Sequence, residues 1–210
     1  MQKFIIQRNE FLNSEIQAFY HTDYVGFRQQ GNPDYINYLK NTYNDLSEQN
    51  INNLNVAIQT LAGVLKIDLP QILQVQNITP LTVCVVPRAK TESSYQHNQL
   101  LFKAVVRDVV RLISGFYDGV DYIVRHTNTR TTHLPANTPN YNNDGTRPYP
   151  GITKDTCTIS NKVKDKNILL IDDLYTKNVN IDDDAIQALL DNGAQSVIFY
   201  AVGKTVQNRF

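Results

Sequence analysis

Residues 167–180 read NILLIDDLYTKNVN, and the reading of this stretch decides the fold. Four apolar residues, Ile168, Leu169, Leu170 and Ile171, run straight into two carboxylates, Asp172 and Asp173. A short run that is apolar throughout, rather than alternating, suits a strand covered on both faces, as in a parallel sheet flanked by helices. Ligands of open α/β sheets bind beyond the carboxyl ends of the strands. The acids are therefore expected at a strand end. A polar loop (Tyr175, Thr176, Lys177, Asn178) follows, and a helix starts at Asn180, with an N-terminus suited to an anion. Neighbouring side chains on a strand face opposite sides unless the chain is already turning. At a strand end the pair can accept from vicinal hydroxyls or hold a hydrated Mg²⁺. Equally, Asp is common where strands end, and the pair can simply close a turn. Asp182, Asp183 and Asp184 in the first helical turn complement the helix dipole. They would repel a phosphate that they faced, and an outward orientation avoids this.

Working outward, residues 81–88 (LTVCVVPR) form a second buried-strand candidate that ends at Pro87 and leads into a basic loop with Arg88 and Lys90. Two cations there suit a diphosphate; the plainer alternative is a solvated loop. Residues 95–114 carry apolar side chains at helical spacing (Leu100, Leu101, Ala104, Val105, Val109, Leu112), closed by Gly115. Residues 121–124 (DYIV) are expected as the next strand, completing a βαβ unit. Residues 125–152 hold four prolines (Pro135, Pro139, Pro148, Pro150) and two glycines, a polar segment long enough to be a lid. Arg125, Arg130 and Arg147 lie in it, as do His126 and His133, whose side chains titrate near neutral pH. A further strand is expected at 156–160, a helix at 182–192 and a last strand at 196–202.

Residues 1–80 read as helical. Phe11, Ile16, Phe19 and Tyr20 give one stripe, Tyr35, Tyr38, Leu39, Tyr43 and Leu46 a second, and Leu54, Ile58, Leu61 and Leu65 a third that Pro70 should stop. These stripes are read as core. The organisation expected is a helical extension or hood over 1–80 and an α/β core over 81–210.

With 210 residues, 41% hydrophobic and 19% charged, the chain can bury a real core. Lys and Arg number 20 and so do Asp and Glu, so net charge supports no nucleic-acid partner. The two cysteines, Cys84 and Cys157, have no metal-ligand spacing. No signal-peptide pattern opens the chain and no wholly apolar run reaches the ~18 residues of a membrane span, so the cytoplasm is the expected compartment.

The string ILLIDDLYTKNVN resembles the phosphoribosyl-pyrophosphate (PRPP) signature of type I phosphoribosyltransferases: four apolar residues, two acids, two apolar residues, then a Thr/Ser/Gly-rich loop opening a helix. Within that family, VVPRAK with the downstream Asn98-Gln99, and RHTNTRTTH at 125–133, look similar to the ComF-type group. The resemblance covers roughly residues 81–205, with its parts in the family's order. It implies an α/β fold with a mostly parallel sheet, and a glycosyltransferase reaction: Mg²⁺-assisted transfer of a phosphoribosyl group from PRPP to a nitrogen nucleophile, releasing pyrophosphate. Asp172 and Asp173 would hold the ribose and, through water, Mg²⁺. Thr176, Lys177, Asn178, Val179 and Asn180 would cradle the 5′-phosphate, while Arg88, Lys90, Arg125 and Arg130 would take the pyrophosphate. The acceptor is an unnamed nitrogen compound, and a homodimer is compatible with the family. Lys177, Asn178 and Asn180 depart from the usual Thr/Ser and Gly, although Asn accepts left-handed backbone at 178 and caps helices at 180. Those departures keep a second reading open: a PRPP or nucleotide sensor, or an accessory of nucleic-acid metabolism, without turnover. A receiver domain, which also opens on such an acid pair, is not the expected reading, since its remaining α/β units need more chain than the sequence shows after Asp173.

Overall fold

The computed structural model describes residues 1–26, 29–43, 46–131, 143, 151–152, 154–177 and 179–206. The decisive stretch is a strand, β7 (Asn167–Tyr175), at the middle of a six-stranded sheet. Ile168, Leu169, Leu170 and Ile171 are all fully buried, and they alternate between two cores. Ile168 and Leu170 face α4 (Ile181–Asp191) through Ala185, Ile186 and Leu189. Leu169 and Ile171 face the opposite layer, built from α1 (Asp34–Leu39), α2 (Glu48–Gln76) and α3 (Leu101–Leu112). Burial on both faces is why the run needs no polar alternation.

The other strands are β1 (Gln2–Ile6), β2 (Ile16–Tyr24), β3 (Leu81–Val85), β4 (Phe116–Asp118) and β8 (Ser196–Thr205), in the order β1-β2-β8-β7-β3-β4. Every neighbouring pair is parallel except β1 with β2. A separate antiparallel pair, β5 (Ile123–Arg125) and β6 (Cys157–Ile159), brackets the long polar segment.

Several expectations are corrected. The helix expected around 11–20 is strand β2, so the N-terminal segment contributes strands as well as helices. Ile16, Ala18 and Tyr20 enter one core while Phe19 enters the other. A strand buried on both sides and a helical stripe place apolar residues at overlapping positions, and only pairing with β8 separates them. Pro70 does not stop the third helix: α2 runs on to Gln76 and closes at Asn77 in left-handed backbone, φ 51°. Proline removes one internal hydrogen bond, but Leu69 and Ile72 on either side are fully buried and hold the helix against the sheet. α1 is shorter than the stripe over 35–46 suggests, ending at Leu39. The βαβ partner of β3 is β4 and not 121–124, because the chain turns into the sheet directly at Gly115 (φ +92°). The strand expected at 121–124 becomes β5. The first part of the helix expected from Tyr95 is a short 3₁₀ turn, His97–Gln99, and another, Glu92–Ser94, lies just before it.

By length and averaged composition α2 passes as a membrane-spanning helix, although its 18-residue apolar window is 33% buried in this fold. Its apolar character is that of a core stripe, with Leu61, Leu65, Leu69 and Ile72 fully buried. α1 sits close on β8 at Gly203, where a Cβ would lie 2.9 Å from Ile36 Cδ1. That close seat brings the end of α1 to the acid pair.

Candidate functional site

β3 and β7 are adjacent, yet their next strands diverge: β4 lies beyond β3 and β8 beyond β7. Such a reversal opens a crevice at the strands' carboxyl ends. A cleft of about 140 Å³ lies there, lined by the loop after β3, the acid pair, the end of α1 and the start of the long polar segment. Six Lys and Arg side chains line it against three carboxylates, so it is locally positive in a neutral chain.

β7 does not end at the acids. It continues beside β8 to Tyr175, while its pairing with β3 stops at Ile171 opposite Val85. The acids thus occupy the first positions that β3 leaves uncovered. Their side chains divide between the faces. Asp173 meets Lys40, just after α1, with Nζ 2.5 Å from Oδ1. Asp172 Oδ1 accepts from the Asp173 N–H at 2.7 Å, and its carboxyl is hydrogen-bonded to Asp182 of α4. Burial, and then the charge of Asp173, pushes Asp172 up to about 7. Burial and the neighbouring Asp172 likewise hold Asp182 well above the carboxylate range, so the hydrogen bond between the two carboxyls is one that a shared proton would make. Burial disfavours the Lys40 ammonium, but Asp173 and Asp172 outweigh it and raise its pKa.

The first-turn acids of α4 do not all face outward. Asp182 and Asp183 are 5% and 1% exposed. Asp183 accepts from Asn9 Nδ2 at 2.6 Å, and Asp184 accepts from the Ile152 N–H at 2.5 Å. In the expected phosphate loop, Thr176 Oγ1 lies 2.7 Å from Thr205 Oγ1, and the Val179 N–H donates to the Thr176 carbonyl at 3.0 Å. Lys177 is exposed. Asn180 is itself left-handed, φ 57°, and its side chain makes no capping bond to α4, contrary to its expected capping role. Asn178 lies outside the described residues.

Of the basic residues, Arg88 is a strut. Its guanidinium donates to the carbonyls of Gln99, Asn41 and Lys40 and stacks on Tyr95 at 4.6 Å. Lys90 lines the cleft at 5% exposure. Arg125, at the end of β5, is 4% exposed; its Nε donates to the Arg88 carbonyl at 2.6 Å, and its Nη1 has no hydrogen-bond partner among the described residues. Burial lowers its pKa from the usual guanidinium value. Arg130 lines the cleft from the exposed side. Thr129 donates twice to the Ala89 carbonyl, at 2.8 and 2.9 Å, tying the polar segment to the basic loop. The structure therefore gathers Arg88, Lys90, Arg125 and Arg130 with Asp172 and Asp173. Among the described residues that line this cleft, Thr176, Lys177, Val179 and Asn180 are absent. His126 is exposed and bonds near Thr127 and the Lys154 carbonyl, away from the lining; His133 and Arg147 lie outside the described residues.

Sequence reasoning missed Lys40. A lysine after a short helix carries no motif, and only the packing of α1 on β8 brings it to Asp173. The inward turn of Asp182 was equally hidden, because an acid in a first helical turn looks the same in sequence whichever way it points.

No protein-family model matches the chain, and no curated protein matches it.

Proposed function

We propose that this cleft binds the diphosphate-bearing ribose of PRPP and that the protein transfers the phosphoribosyl group to a nitrogen nucleophile. The observation that carries this reading is Arg125: a buried guanidinium whose Nη1 has no partner among the described residues, in a positive cleft beside two carboxylates at a sheet switch point. A buried donor without a partner costs about 1–3 kcal/mol, and an anionic oxygen would remove that cost. Arg125 and Lys90 would hold the diphosphate, with Arg130 covering it from the exposed side. Arg88 would position rather than bind, since its donors already serve backbone carbonyls. Asp172 and Asp173 would accept from the ribose hydroxyls.

In the reaction the nucleophile's nitrogen lone pair forms the bond to the anomeric carbon. The carbon–oxygen bond to diphosphate breaks, and diphosphate leaves with the electron pair. A proton leaves the nitrogen. Positive charge develops on the sugar and negative charge on the leaving group; the fixed cations stabilise the latter, while contacts to the far end of the ligand position the reacting carbon. Mg²⁺ does not fit as an ion held by these side chains alone. Asp173 holds Lys40, Asp172 is bonded to Asp182, and no group of three or more His, Cys, Asp or Glu among the described residues is placed for a metal. An ion carried in on the ligand's own diphosphate is compatible with the cleft, and no step above depends on it.

One observation favours the second reading, a PRPP-binding sensor without turnover. Asp182 and Asp183 are turned inward at the helix end where the 5′-phosphate would sit. The two readings separate in a pyrophosphate-release assay with PRPP and a panel of nitrogen bases, run beside calorimetric titration. Release supports the transferase, and binding without release supports the sensor. PRPP binding that persists in D172N/D173N would remove the acid pair from either reading.

A further inference from the structure

Lys40 belongs to none of the sequence motifs, yet it occupies the centre of the site. Its Nζ lies 2.5 Å from Asp173 Oδ1, on the carboxylate to which the resemblance assigns a hydrated metal ion. Both ends of this residue are fixed. The carbonyls of Lys40 and Asn41 accept from Arg88. Asn41 and Asn98 exchange hydrogen bonds, each at 2.9 Å, and Asn98 and Gln99 both donate to the Tyr43 carbonyl. The backbone is thereby latched to the loop after β3, and the ammonium is anchored by the acid. A cation held this way loses little further freedom when an anion arrives. An ammonium carries three N–H donors, and the bond to Asp173 uses one. Lys40 lines the same cleft as Arg125, whose buried Nη1 has no partner among the described residues. A divalent ion seated on Asp173 would have to displace an ammonium already in contact with it.

We propose that Lys40 takes the place of a divalent cation: anchored on Asp173, it presents a fixed positive charge to the diphosphate that Arg125 binds, so that diphosphate binding here needs no Mg²⁺. This rests on the reading of the cleft as a diphosphate site.

The test is calorimetric titration of the full chain with inorganic pyrophosphate, in EDTA and in Mg²⁺. It is run on the native protein and on K40M, K40R and R125M, with thermal melting to confirm that each variant folds. The native protein should bind with Kd values within about threefold in the two conditions. K40M should lose about tenfold or more in EDTA and recover in Mg²⁺, since Asp173 is then open to the ion. K40R should hold near the native value in EDTA. Native binding that appears only with Mg²⁺ overturns the role of Lys40 while leaving the cleft reading intact, and this comparison needs no variant. K40M binding like the native protein in EDTA overturns it as well. No binding by the native protein in either condition, or R125M binding as well as native in both, removes the diphosphate reading and the inference with it.

Discussion

At the residue scale the site is a set of charges held by specific neighbours. The Asp172–Asp182 pair makes a pH prediction. The folded-state pKa of Asp172 is raised to about 7 from 3.8, by burial and by Asp173. A raised carboxyl contributes its stability in the protonated form, fully below about pH 4, and loses it as pH rises through about 7. Asp172→Asn keeps a neutral side chain there at every pH. Its melting temperature should therefore gain on the native protein between about pH 5 and pH 8. A difference that stays flat over that range would show that the pair does not titrate as described. A second cluster lies under α2, where Asp68, 1% exposed, accepts from Tyr200 Oη at 2.8 Å and pairs with His21 at 2.9 Å. Removing it by Asp68→Ala leaves Tyr200 without its acceptor and should cost on the order of 3 kcal/mol. Urea denaturation would measure this, and a change under about 0.5 kcal/mol would contradict it. The acid pair and the four basic residues were legible as types at particular spacings. Their partners were not: whether Asp173 meets a ligand or Lys40 depends on residues 133 positions apart.

At the element scale, periodicity was informative where one face alone is buried, and ambiguous where both are. α2 shows a clean stripe, and its core positions carry the packing. Leu65→Ala should cost roughly 2–5 kcal/mol by cavity formation, whereas Val56→Ala at 62% exposure should stay within about 0.5 kcal/mol. Equal effects of the two substitutions in denaturant titrations would contradict the assigned face. β2 was misread because a strand between two cores carries apolar residues at 16, 18, 19 and 20, spacings that a helix also uses. Pro70 was misread because propensity counts the missing hydrogen bond and not the buried leucine and isoleucine around it.

For the whole molecule, β2 extends the sheet beyond β8, pairing from Ala18 with Phe199 to Tyr24 with Thr205. α2 shares a core with Leu169 and Ile171 of β7. A chain trimmed to residues 81–210 would lose α2 and leave an edge of β8 unpaired, exposing apolar surface and open backbone groups. It should show no cooperative melting transition, while the full chain does. Sharp two-state melting of the trimmed chain by circular dichroism would mean that its core is complete without the N-terminal segment.

By itself the sequence determined that a buried parallel strand runs into two acids, that a basic loop and a long polar segment precede it, and that the layers are α/β. These are local properties, written in runs of a few residues whose chemistry decides their burial. Only the tertiary structure decided that residues 2–6 and 16–24 join the sheet, that Lys40 lies on Asp173, that Asp182 turns inward and that Arg125 is buried with a donor that no described residue accepts from. Each of these depends on which distant segments pack together. A local pattern fixes how a side chain can be buried, but not which partner it meets when it is.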